Sequence, residues 1–397
     1  MAAPVPNRRS GAIAESVTLA IAARSLALRA EGRDVVSLGA GEPDFPTPEP
    51  IARAGIAAIE RGDYRYTAAG GTPALRAAAA RWLCAAFGLR YEAAEVLVTA
   101  GAKPALHMAL TAVLEPGDRV LVPAPYWVSY PALVHVAGGE TVVVPPSPER
   151  AFVPDPAQLD ALAAQHGARG LVLNHPNNPS GAVPTRAELQ AIVDVARRRD
   201  LWILSDEIYA QLRYDGAEHV SPAAVDGGRE RTMVVAGFTK SHTLTGWRIG
   251  FLAGPSAVID AAGRIQSQVL GSPPTVSQAA ALAACAEPPG EEAARRLPEF
   301  DARRRYLVTA LNAIDGLRLQ PPRGAFYALV DATAWCTRLG VDDVRLCERL
   351  LEEQLLAVVP GSAFGAPGFV RLSYAASMDR LRAAVERLRA FGAGVLA

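Results

Sequence analysis

The chain has 397 residues, of which 50% are hydrophobic and 20% charged, and its 40 basic and 40 acidic side chains leave no net charge. This length predicts two domains, and the composition is typical of a soluble globular protein. Because no basic stripe stands out, nucleic acid is not an expected partner. No apolar stretch approaches the length of a membrane span without charge, glycine or proline, so we expect no membrane insertion.

The amino terminus and the cysteines predict a reducing, cytoplasmic setting. The first residues, MAAPVPNRRSGAIAES, lack the continuous apolar core of a signal peptide. The four cysteines form no CxxC pair and have no metal-type spacing to histidine, which predicts buried or partly buried thiols and no metal site. The arginine run at positions 303–305 is expected on a solvated helix face.

Seven short, continuously apolar runs in the middle of the chain predict β-strands. They cover residues 96–100, 119–125, 140–145, 170–176, 201–207, 232–238 and 248–254. Continuous rather than alternating runs are typical of strands that are covered on both faces. Helical patterns between several of them, such as residues 103–114 and 185–199, favour a largely parallel, doubly wound sheet.

The last third of the chain follows a different pattern. Helices rich in Arg, Glu and Leu are predicted at residues 291–314, 342–353 and 378–391, around short strands at 325–330 and 369–375. We therefore predict an α/β protein whose large domain, residues 46–286, holds a seven-stranded, mostly parallel sheet. A smaller α+β domain would combine residues 1–45 and 287–397, with the turn-rich sequence EPPGEE at the junction.

Small or polar residues follow several of the predicted strands. They are Gly101, Tyr126, Trp127, the stretch 174–178, Asp206 and Lys240. In an open parallel sheet, ligands bind at the carboxyl ends of the strands. The sequence therefore predicts a single site to which all of these loops contribute.

Two residues of this site indicate its chemistry. Lys103 and Lys240 are the only lysines of the sequence, which otherwise uses arginine. An arginine stays protonated, whereas a partly buried lysine can lose its proton and attack a carbonyl to form a Schiff base. Asp206 ends an apolar strand, and a buried carboxylate needs a partner such as a protonated pyridine nitrogen. A helix N-cap is the alternative role for Asp206.

The segment TAGAKPAL predicts an anion site. It passes from a strand through Gly101 and Ala102 into a helix, whose first backbone amides would bind a phosphate. Arg248 would supply a fixed cation and Thr239 a hydroxyl to the same phosphate. In NHPNNPSG, Asn178 would face the ring oxygen of a pyridine cofactor, or the stretch is simply a turn.

These motifs are part of a pattern that extends along nearly the whole chain. The matching stretches are AGEPDFPTP, YRYTAAGGTPALR, GAKPAL, PYWVSYP, FVPDP, NNPSGAV, SDEIY, K…TGWRIG, GAFY and VVPGSAFG…VRLSYA. With them the chain resembles a class I aminotransferase of fold type I that depends on pyridoxal phosphate (PLP), of the bacterial aspartate/prephenate aminotransferase kind. The resemblance implies a homodimer with shared active sites.

The resemblance also implies roles for residues around the cofactor ring. Lys240 would be the Schiff-base lysine and the acid and base that moves a proton between the substrate Cα and the cofactor C4′. Asp206 would pair with the pyridinium nitrogen, and Trp127 would stack on the ring. Asn178 and Tyr209 would form hydrogen bonds with the ring oxygen.

Further implied roles concern the phosphate and the substrate. The implied phosphate ligands are Arg248, the backbone amides of Gly101, Ala102 and Lys103, and Tyr66 of the partner subunit. Arg371 would bind the substrate α-carboxylate through two hydrogen bonds. Gly41 would line the same pocket, together with Trp127 and Asn178.

The second lysine bears on the substrate side chain. In relatives that prefer dicarboxylates, a lysine at the position of Lys103 is aimed at the distal carboxylate, with the hydroxyl of Thr18 nearby, which favours aspartate or glutamate. Alternatively, Lys103 serves the phosphate through its backbone alone. Val269, Leu270 and Gly271 stand where the family usually has small hydroxyl residues that would reach the partner's active site, so an aromatic or unusual donor also stays open.

The predicted function is the transfer of an amino group between an L-amino acid and a 2-oxo acid, and two other interpretations stay open. Relatives on the same fold use the same lysine, aspartate and arginine for elimination or cyclisation, as 1-aminocyclopropane-1-carboxylate synthase does. A non-catalytic, PLP-binding regulator is the third interpretation. Regulatory relatives carry a DNA-binding domain ahead of this fold, whereas here the fold is expected to begin almost at residue 1.

Overall fold

The computed structural model describes residues 5–13 and 17–396. Its strands are β1 (Val36–Ser37), β2 (Val96–Thr99), β3 (Arg119–Pro123), β4 (Glu140–Val144), β5 (Gly170–Asn174), β6 (Trp202–Asp206), β7 (Thr232–Ala236), β8 (Gly250–Ala253), β9 (Arg318–Leu319), β10 (Tyr327–Asp331), β11 (Leu356–Ala357), β12 (Val359–Pro360) and β13 (Phe369–Ser373). Its α-helices are α1 (Arg8–Gly11), α2 (Val17–Ala30), α3 (Glu49–Glu60), α4 (Pro73–Phe87), α5 (Ala102–Val113), α6 (Ser129–Val136), α7 (Pro156–His166), α8 (Arg186–Arg198), α9 (Ser256–Val269), α10 (Thr275–Ala286), α11 (Glu291–Asn312), α12 (Thr333–Leu339), α13 (Asp343–Gln354) and α14 (Met378–Leu396).

Strands β2 to β8 form one sheet in the order β2-β8-β7-β6-β5-β3-β4. β8 runs antiparallel to both of its neighbours, and the remaining pairings of this sheet are parallel. These are the seven strands that the apolar runs predict, so the predicted α/β fold with a mostly parallel, seven-stranded sheet is confirmed.

Helices cover this sheet on both faces. Every residue of β5 and of β7 is buried, as their continuous apolar sequences predict. Leu121 and Val122, which are neighbours on β3, face opposite sides of the sheet. Val122 packs in one core with Leu106 of α5 and Ile259 of α9, and Leu121 packs in another with Leu189 of α8.

The carboxy-terminal third forms a second, antiparallel sheet in the order β12-β13-β10-β9. The helices predicted in this part are α11, α13 and α14, and their apolar faces share one core with the sheet. β1 pairs with β11 in parallel, which joins the amino-terminal segment to this smaller α+β unit. The limits of the two domains, 46–286 against 1–45 with 287–397, stay a prediction.

Two expectations about individual side chains are wrong. Arg303 and Arg304 are only 4% and 3% exposed, because α11 lies against acidic residues from distant parts of the chain. Arg303 binds Asp44 through hydrogen bonds of 2.8 and 2.9 Å, and Arg304 binds Asp215 through hydrogen bonds of 2.7 and 2.8 Å. Cys84 is exposed rather than buried, because it lies on the solvent side of α4.

A search of the described residues for membrane spans finds no helix that combines the necessary length with the necessary apolar character.

Candidate active site

A cavity of about 360 Å³ lies where several strands of the large sheet end. Most of the residues that the sequence singles out line it, namely Gly41, Ala102, Lys103, Trp127, Asn178, Asp206, Tyr209, Thr239, Lys240, Arg248 and Arg371. Thr18 lines it as well. Of the remaining predicted residues, Gly101 adjoins Arg248, whereas Tyr66 lies on the protein surface.

Lys240 lies in the loop that follows β7. Its Nζ donates a hydrogen bond of 2.7 Å to the carbonyl oxygen of Gly41. Burial lowers the pKa of the ammonium to about 8, although the negative charges of Asp206 and Glu42 oppose the shift. A lysine with this pKa exchanges its proton close to physiological pH, as an acid–base or nucleophilic role requires.

Asp206 is the last residue of β6 and is 5% exposed. Its Oδ2 accepts a hydrogen bond of 2.8 Å from the hydroxyl of Tyr130, and its Oδ1 accepts one of 3.3 Å from the backbone N–H of Ile208. Burial raises the pKa of the carboxyl to about 6, while the bond from Tyr130 acts in the opposite direction. Asp206 is therefore ionised at neutral pH and suited to pair with a cationic ring nitrogen.

A chain of hydrogen bonds holds the loop after β5 against the end of β6. Asn174 is paired with Asp206 in the sheet register, and its side-chain amide donates to the Asp206 carbonyl oxygen at 2.9 Å. The backbone N–H of Asn178 donates to Oδ1 of Asn174 at 2.8 Å. The side chain of Asn178 therefore has a fixed place in the wall of the cavity.

Arg371, in β13, is 2% exposed. Its Nη1 donates to Oδ1 of Asn178 at 3.0 Å, and its Nη2 donates to the carbonyl oxygen of Gly39 at 2.6 Å. The guanidinium carbon lies 4.6 Å from the ring centre of Tyr327 and 4.9 Å from that of Phe364. A planar cation that is fixed in this way suits a carboxylate ligand.

Tyr209, in the turn after β6, meets Tyr327 of β10. The two hydroxyl oxygens are 2.8 Å apart, and both side chains are buried. Burial raises the pKa of both phenols, so both hydroxyls keep their hydrogens at neutral pH.

Gly101 and Arg248 form an anion-binding end of the cavity. α5 begins at Ala102, directly after Gly101, whose φ is 106°. A Cβ at position 101 would lie 2.6 Å from Nη2 of Arg248, so glycine is what lets the guanidinium approach the start of the helix. A cation beside the free N–H groups of a helix amino terminus attracts an anionic group such as a phosphate.

Lys103, Trp127 and Thr18 lie together in the cavity wall. Nζ of Lys103 lies 4.9 Å from the ring centre of Trp127. Burial, and next the charge of Arg248, lower the pKa of Lys103. Oγ1 of Thr18 is buried and finds no hydrogen-bond partner within the described parts of the chain.

Tyr66 and Val269 lie outside the cavity. Tyr66 is 98% exposed and Val269 is 62% exposed. The contributions predicted for both residues require a second chain, and they stay predictions.

Two tyrosines that line the cavity, Tyr130 and Tyr327, have no role predicted from the sequence. Tyr130 lies in the motif PYWVSYP, and Tyr327 lies in the motif GAFY. Their hydroxyl partners are 76 and 118 residues away in the sequence. The available signal is a tyrosine inside an apolar stretch, because a buried phenol hydroxyl usually has a hydrogen-bond partner.

The chain is similar to known proteins along nearly its whole length. The family model for aminotransferases of class I and II matches residues 33–388. The aspartate/prephenate aminotransferase of Thermus thermophilus is 44% identical over 96% of this chain and 97% of its own length. The bifunctional aspartate aminotransferase and glutamate/aspartate-prephenate aminotransferase of Petunia hybrida is 42% identical over 96% of this chain and 81% of its own length.

Solved structures are similar over the same extent. The aspartate aminotransferase of Thermus thermophilus with maleate superposes with a TM-score of 0.91 at 42% identity, covering 98% of this chain and 100% of the other. The aspartate aminotransferase of Rhizobium meliloti superposes with a TM-score of 0.93 at 39% identity, covering 98% and 99%. With a family match of this extent and relatives above 40% identity along nearly its whole length, the chain belongs to the class I and II aminotransferase family.

Proposed function

We propose that the protein uses pyridoxal phosphate to move an amino group between an L-amino acid, first of all aspartate or glutamate, and a 2-oxo acid. The observation that carries the proposal is the presence of Lys240 and Asp206 in one cavity. Burial gives the Lys240 amine a pKa of about 8 and leaves Asp206 only 5% exposed. The names of the relatives, aspartate and aspartate/prephenate aminotransferases, support amino-group transfer.

The residues of the cavity fit this cofactor. The close approach of Arg248 to Gly101 leaves an anion-binding end for the phosphate, which the start of α5 and Thr239 would complete. Asp206 would hold the pyridine nitrogen, and Tyr209 and Asn178 would hold the ring oxygen. The bound cofactor supplies a carbonyl that takes up amino groups and a ring that accepts the electrons of a broken Cα–H bond.

Lys240 supplies the proton transfers. Its Nζ would anchor the cofactor carbonyl covalently until the amino group of the substrate replaced it. The freed amine would then be placed to take the Cα proton of the substrate and to return a proton to the cofactor C4′, which its lowered pKa permits near neutral pH. The carbonyl oxygen of Gly41, 2.7 Å from Nζ, orients the side chain whenever Nζ carries a proton.

Arg371 orients the substrate. Asn178 and Gly39 already accept hydrogen bonds from its two terminal nitrogens, so the guanidinium plane is fixed before a carboxylate arrives. Lys103 and the hydroxyl of Thr18, which has no hydrogen-bond partner among the described residues, would bind the distal carboxylate of a dicarboxylic substrate.

A homodimer with shared sites is part of the proposal. α3 and the loop that follows it expose four large side chains. They are Ile56 at 54%, Ile59 at 55%, Tyr64 at 69% and Tyr66 at 98%. Exposed apolar clusters of this kind are typical of protein–protein interfaces. In the dimer, the phosphate would receive a hydrogen bond from Tyr66 of the partner subunit.

The alternative of elimination or cyclisation receives no support. No feature of the described cavity favours it, and the relatives compared above carry the names of aminotransferases.

The reaction itself is tested with purified protein, PLP and pairs of amino and 2-oxo acids. We expect aspartate to yield oxaloacetate beyond about one equivalent per site only when a 2-oxo acid acceptor is present. Lys240→Ala should remove turnover and the visible absorbance of the lysine-bound cofactor, while far-UV circular dichroism is unchanged. Release of ammonia without an acceptor would contradict amino-group transfer.

The preference for dicarboxylates is tested with Lys103→Met. Loss of a charged hydrogen bond of roughly 1.5 to 3 kcal/mol should raise the KM for aspartate roughly 10- to 150-fold. Phenylalanine, which has no distal carboxylate, serves as the internal control and should show little change. An equal effect on both donors would mean that Lys103 acts on the cofactor instead.

A further inference from the structure

The GAFY motif brings into the cavity a tyrosine, Tyr327, that has no predicted role in the site and none in the proposed reaction. Tyr327 is 1% exposed and is the first residue of β10, an inner strand of the sheet β12-β13-β10-β9, and it lines the cavity. It contacts three of the predicted site residues: Tyr209, Arg371 and Gly41.

The first contact is the hydroxyl pair with Tyr209, at 2.8 Å. A phenol has one hydrogen to donate and can also accept. When Tyr327 donates to Tyr209, the single hydrogen of Tyr209 is free for an acceptor inside the cavity. A hydrogen bond received in this way also polarises the Tyr209 hydroxyl and strengthens its own donation.

The second contact is with the substrate-binding cation. The guanidinium carbon of Arg371 lies over the Tyr327 ring at 4.6 Å, and the ring of Phe364 is 4.9 Å away. An aromatic face attracts a guanidinium, more strongly where water is excluded. The ring of Tyr327 therefore acts on the orientation of Arg371, and its hydroxyl acts on Tyr209.

The third contact explains why position 41 is glycine. A Cβ at Gly41 would lie 2.8 Å from the hydroxyl oxygen of Tyr327 but 3.9 Å from the ring carbon that carries it. The hydroxyl, and not the ring, therefore occupies the space that a side chain at position 41 would need. The carbonyl of the same glycine accepts the hydrogen bond from Lys240.

We propose that Tyr327 is a positioning residue that sets the Tyr209 hydroxyl and the Arg371 guanidinium together, so that one side chain aligns the group facing the cofactor ring oxygen with the group facing the substrate carboxylate. The identity of these two ligands rests on the proposed function. The contacts among Tyr327, Tyr209, Arg371 and Gly41 do not.

Two variants separate the hydroxyl from the ring. In Tyr327→Phe the ring stays and the hydroxyl is lost, so Tyr209 donates more weakly and the ring oxygen of the cofactor becomes more basic. We expect the midpoint of the pH titration of the bound cofactor's visible absorbance to rise and kcat to fall roughly 3- to 10-fold, with the Kd for maleate unchanged. In Tyr327→Leu, the Kd for maleate should also rise roughly 2- to 30-fold, because Arg371 loses one of its two aromatic neighbours and keeps only Phe364.

Tyr374→Phe is the matched control. Its hydroxyl is also buried, and it donates to the carbonyl oxygen of Ala325 at 3.2 Å, but Tyr374 does not line the cavity. Its loss should lower the thermal unfolding temperature without moving the absorbance midpoint or the Kd for maleate. A purely structural role for Tyr327 predicts the same behaviour for Tyr327→Phe and would overturn the proposal.

A double-mutant cycle tests the geometry without cofactor or turnover. In the apoprotein, Gly41→Ala should lower the thermal unfolding temperature, because the new methyl group meets the Tyr327 hydroxyl. In the Tyr327→Phe background this loss should largely disappear, since 3.9 Å is an ordinary van der Waals distance. Strictly additive effects would contradict the contact on which the proposal stands.

The two sets of results distinguish the proposals from each other. If the wild-type protein fails to bind PLP or to transfer amino groups, the proposed function fails, whereas the apoprotein cycle still decides the geometry. If the wild-type protein is active and both Tyr327 variants match it in absorbance midpoint and maleate affinity, the positioning role is wrong.

Discussion

Asp206 owes its charge at neutral pH largely to one phenol. Burial raises the pKa of this carboxyl to about 6, and the hydrogen bond from Tyr130 is the largest effect that opposes the rise. The same phenol packs edge-on against Trp127, with ring centres 5.4 Å apart and an angle of 81°. Tyr130 therefore supports both the residue expected beneath the cofactor nitrogen and the residue expected to stack on the cofactor ring.

Tyr130→Phe should raise the pKa of Asp206 above about 6. An acid whose pKa is higher in the folded chain than in the unfolded chain, where it is about 4, binds its proton more tightly when folded. As the pH rises from about 4 to about 6, the contribution of Asp206 to the free energy of unfolding of the wild-type apoprotein therefore falls. In the variant this fall should continue to a higher pH. Titration of the Asp206 carboxyl by carbon NMR in the apoprotein measures the shift directly.

Tyr126→Phe provides the control for this titration. Tyr126 is close to Tyr130 in the sequence, but it does not line the cavity. Its variant should leave the Asp206 midpoint where it is. If Tyr130→Phe also leaves the midpoint unchanged, the hydrogen bond does not control the charge of Asp206.

The charged residues of the site can be predicted from the sequence, whereas the tyrosines that contact them cannot. Lys240, Asp206 and Arg248 can be recognised in the sequence because a charged side chain at a strand end or in a loop of the site needs a partner or a function. Tyr130 and Tyr327 carry no charge, and their contacts cross 76 and 118 residues of sequence. Only the folded chain brings their partners within reach.

Among the strands, those of the large sheet are predictable from the sequence, and the shortest ones are not. Strands β2, β5 and β7 are buried along their whole length, so each leaves a continuous apolar run in the sequence. Even the partly exposed edge strand β4 keeps the run TVVV, so all seven strands of the large sheet are predictable. β1, β11 and β12 have only two residues each, which is too short to leave a pattern in the sequence. Their existence depends on segments that the fold brings together.

Helix α11 shows why charge patterns on a helix can mislead. Its arginines repeat as on a solvated face, yet Arg303 is 4% exposed, because Asp44 comes from a segment 259 residues earlier. Besides Asp44, Arg303 binds Glu299 on its own helix at 3.0 Å. The pair between Arg303 and Asp44 fastens α11 to the segment that leads into the cavity at Gly41.

Asp44→Ala should therefore destabilise the protein by about 3 kcal/mol, since it leaves a buried guanidinium with one carboxylate fewer. Urea unfolding monitored by circular dichroism measures the change. Glu49→Ala, which breaks the exposed pair with Arg53 at 75% and 72% side-chain exposure, is the control and should cost less than about 1 kcal/mol. Equal losses for the two variants would show that burial does not strengthen the dependence on Asp44.

For the whole molecule, the proposed dimer predicts complementation between two damaged chains. A site would combine Lys240 of one chain with Tyr66 of the partner subunit, so a hybrid of Lys240→Ala and Tyr66→Phe chains holds one intact site and one doubly damaged site. Co-expressed, differently tagged chains should form a hybrid with half the wild-type number of turnover sites and with wild-type PLP affinity at each. If each chain carried a complete site, the hybrid would retain only the weak affinity of the Tyr66→Phe chain.

The antiparallel strand β8 of the large sheet helps to set the distance between Lys240 and Arg248. β8 runs against its neighbours, so its first residue, Gly250, lies at the edge where β7 ends. The backbone leaves that edge before Lys240 and returns to it after Arg248, and a single uninterrupted loop carries both residues. The separation between the lysine and the phosphate-binding arginine is therefore a matter of loop length as much as of residue identity. An insertion or deletion inside this loop would change the distance between Lys240 and Arg248, even if every catalytic side chain were retained.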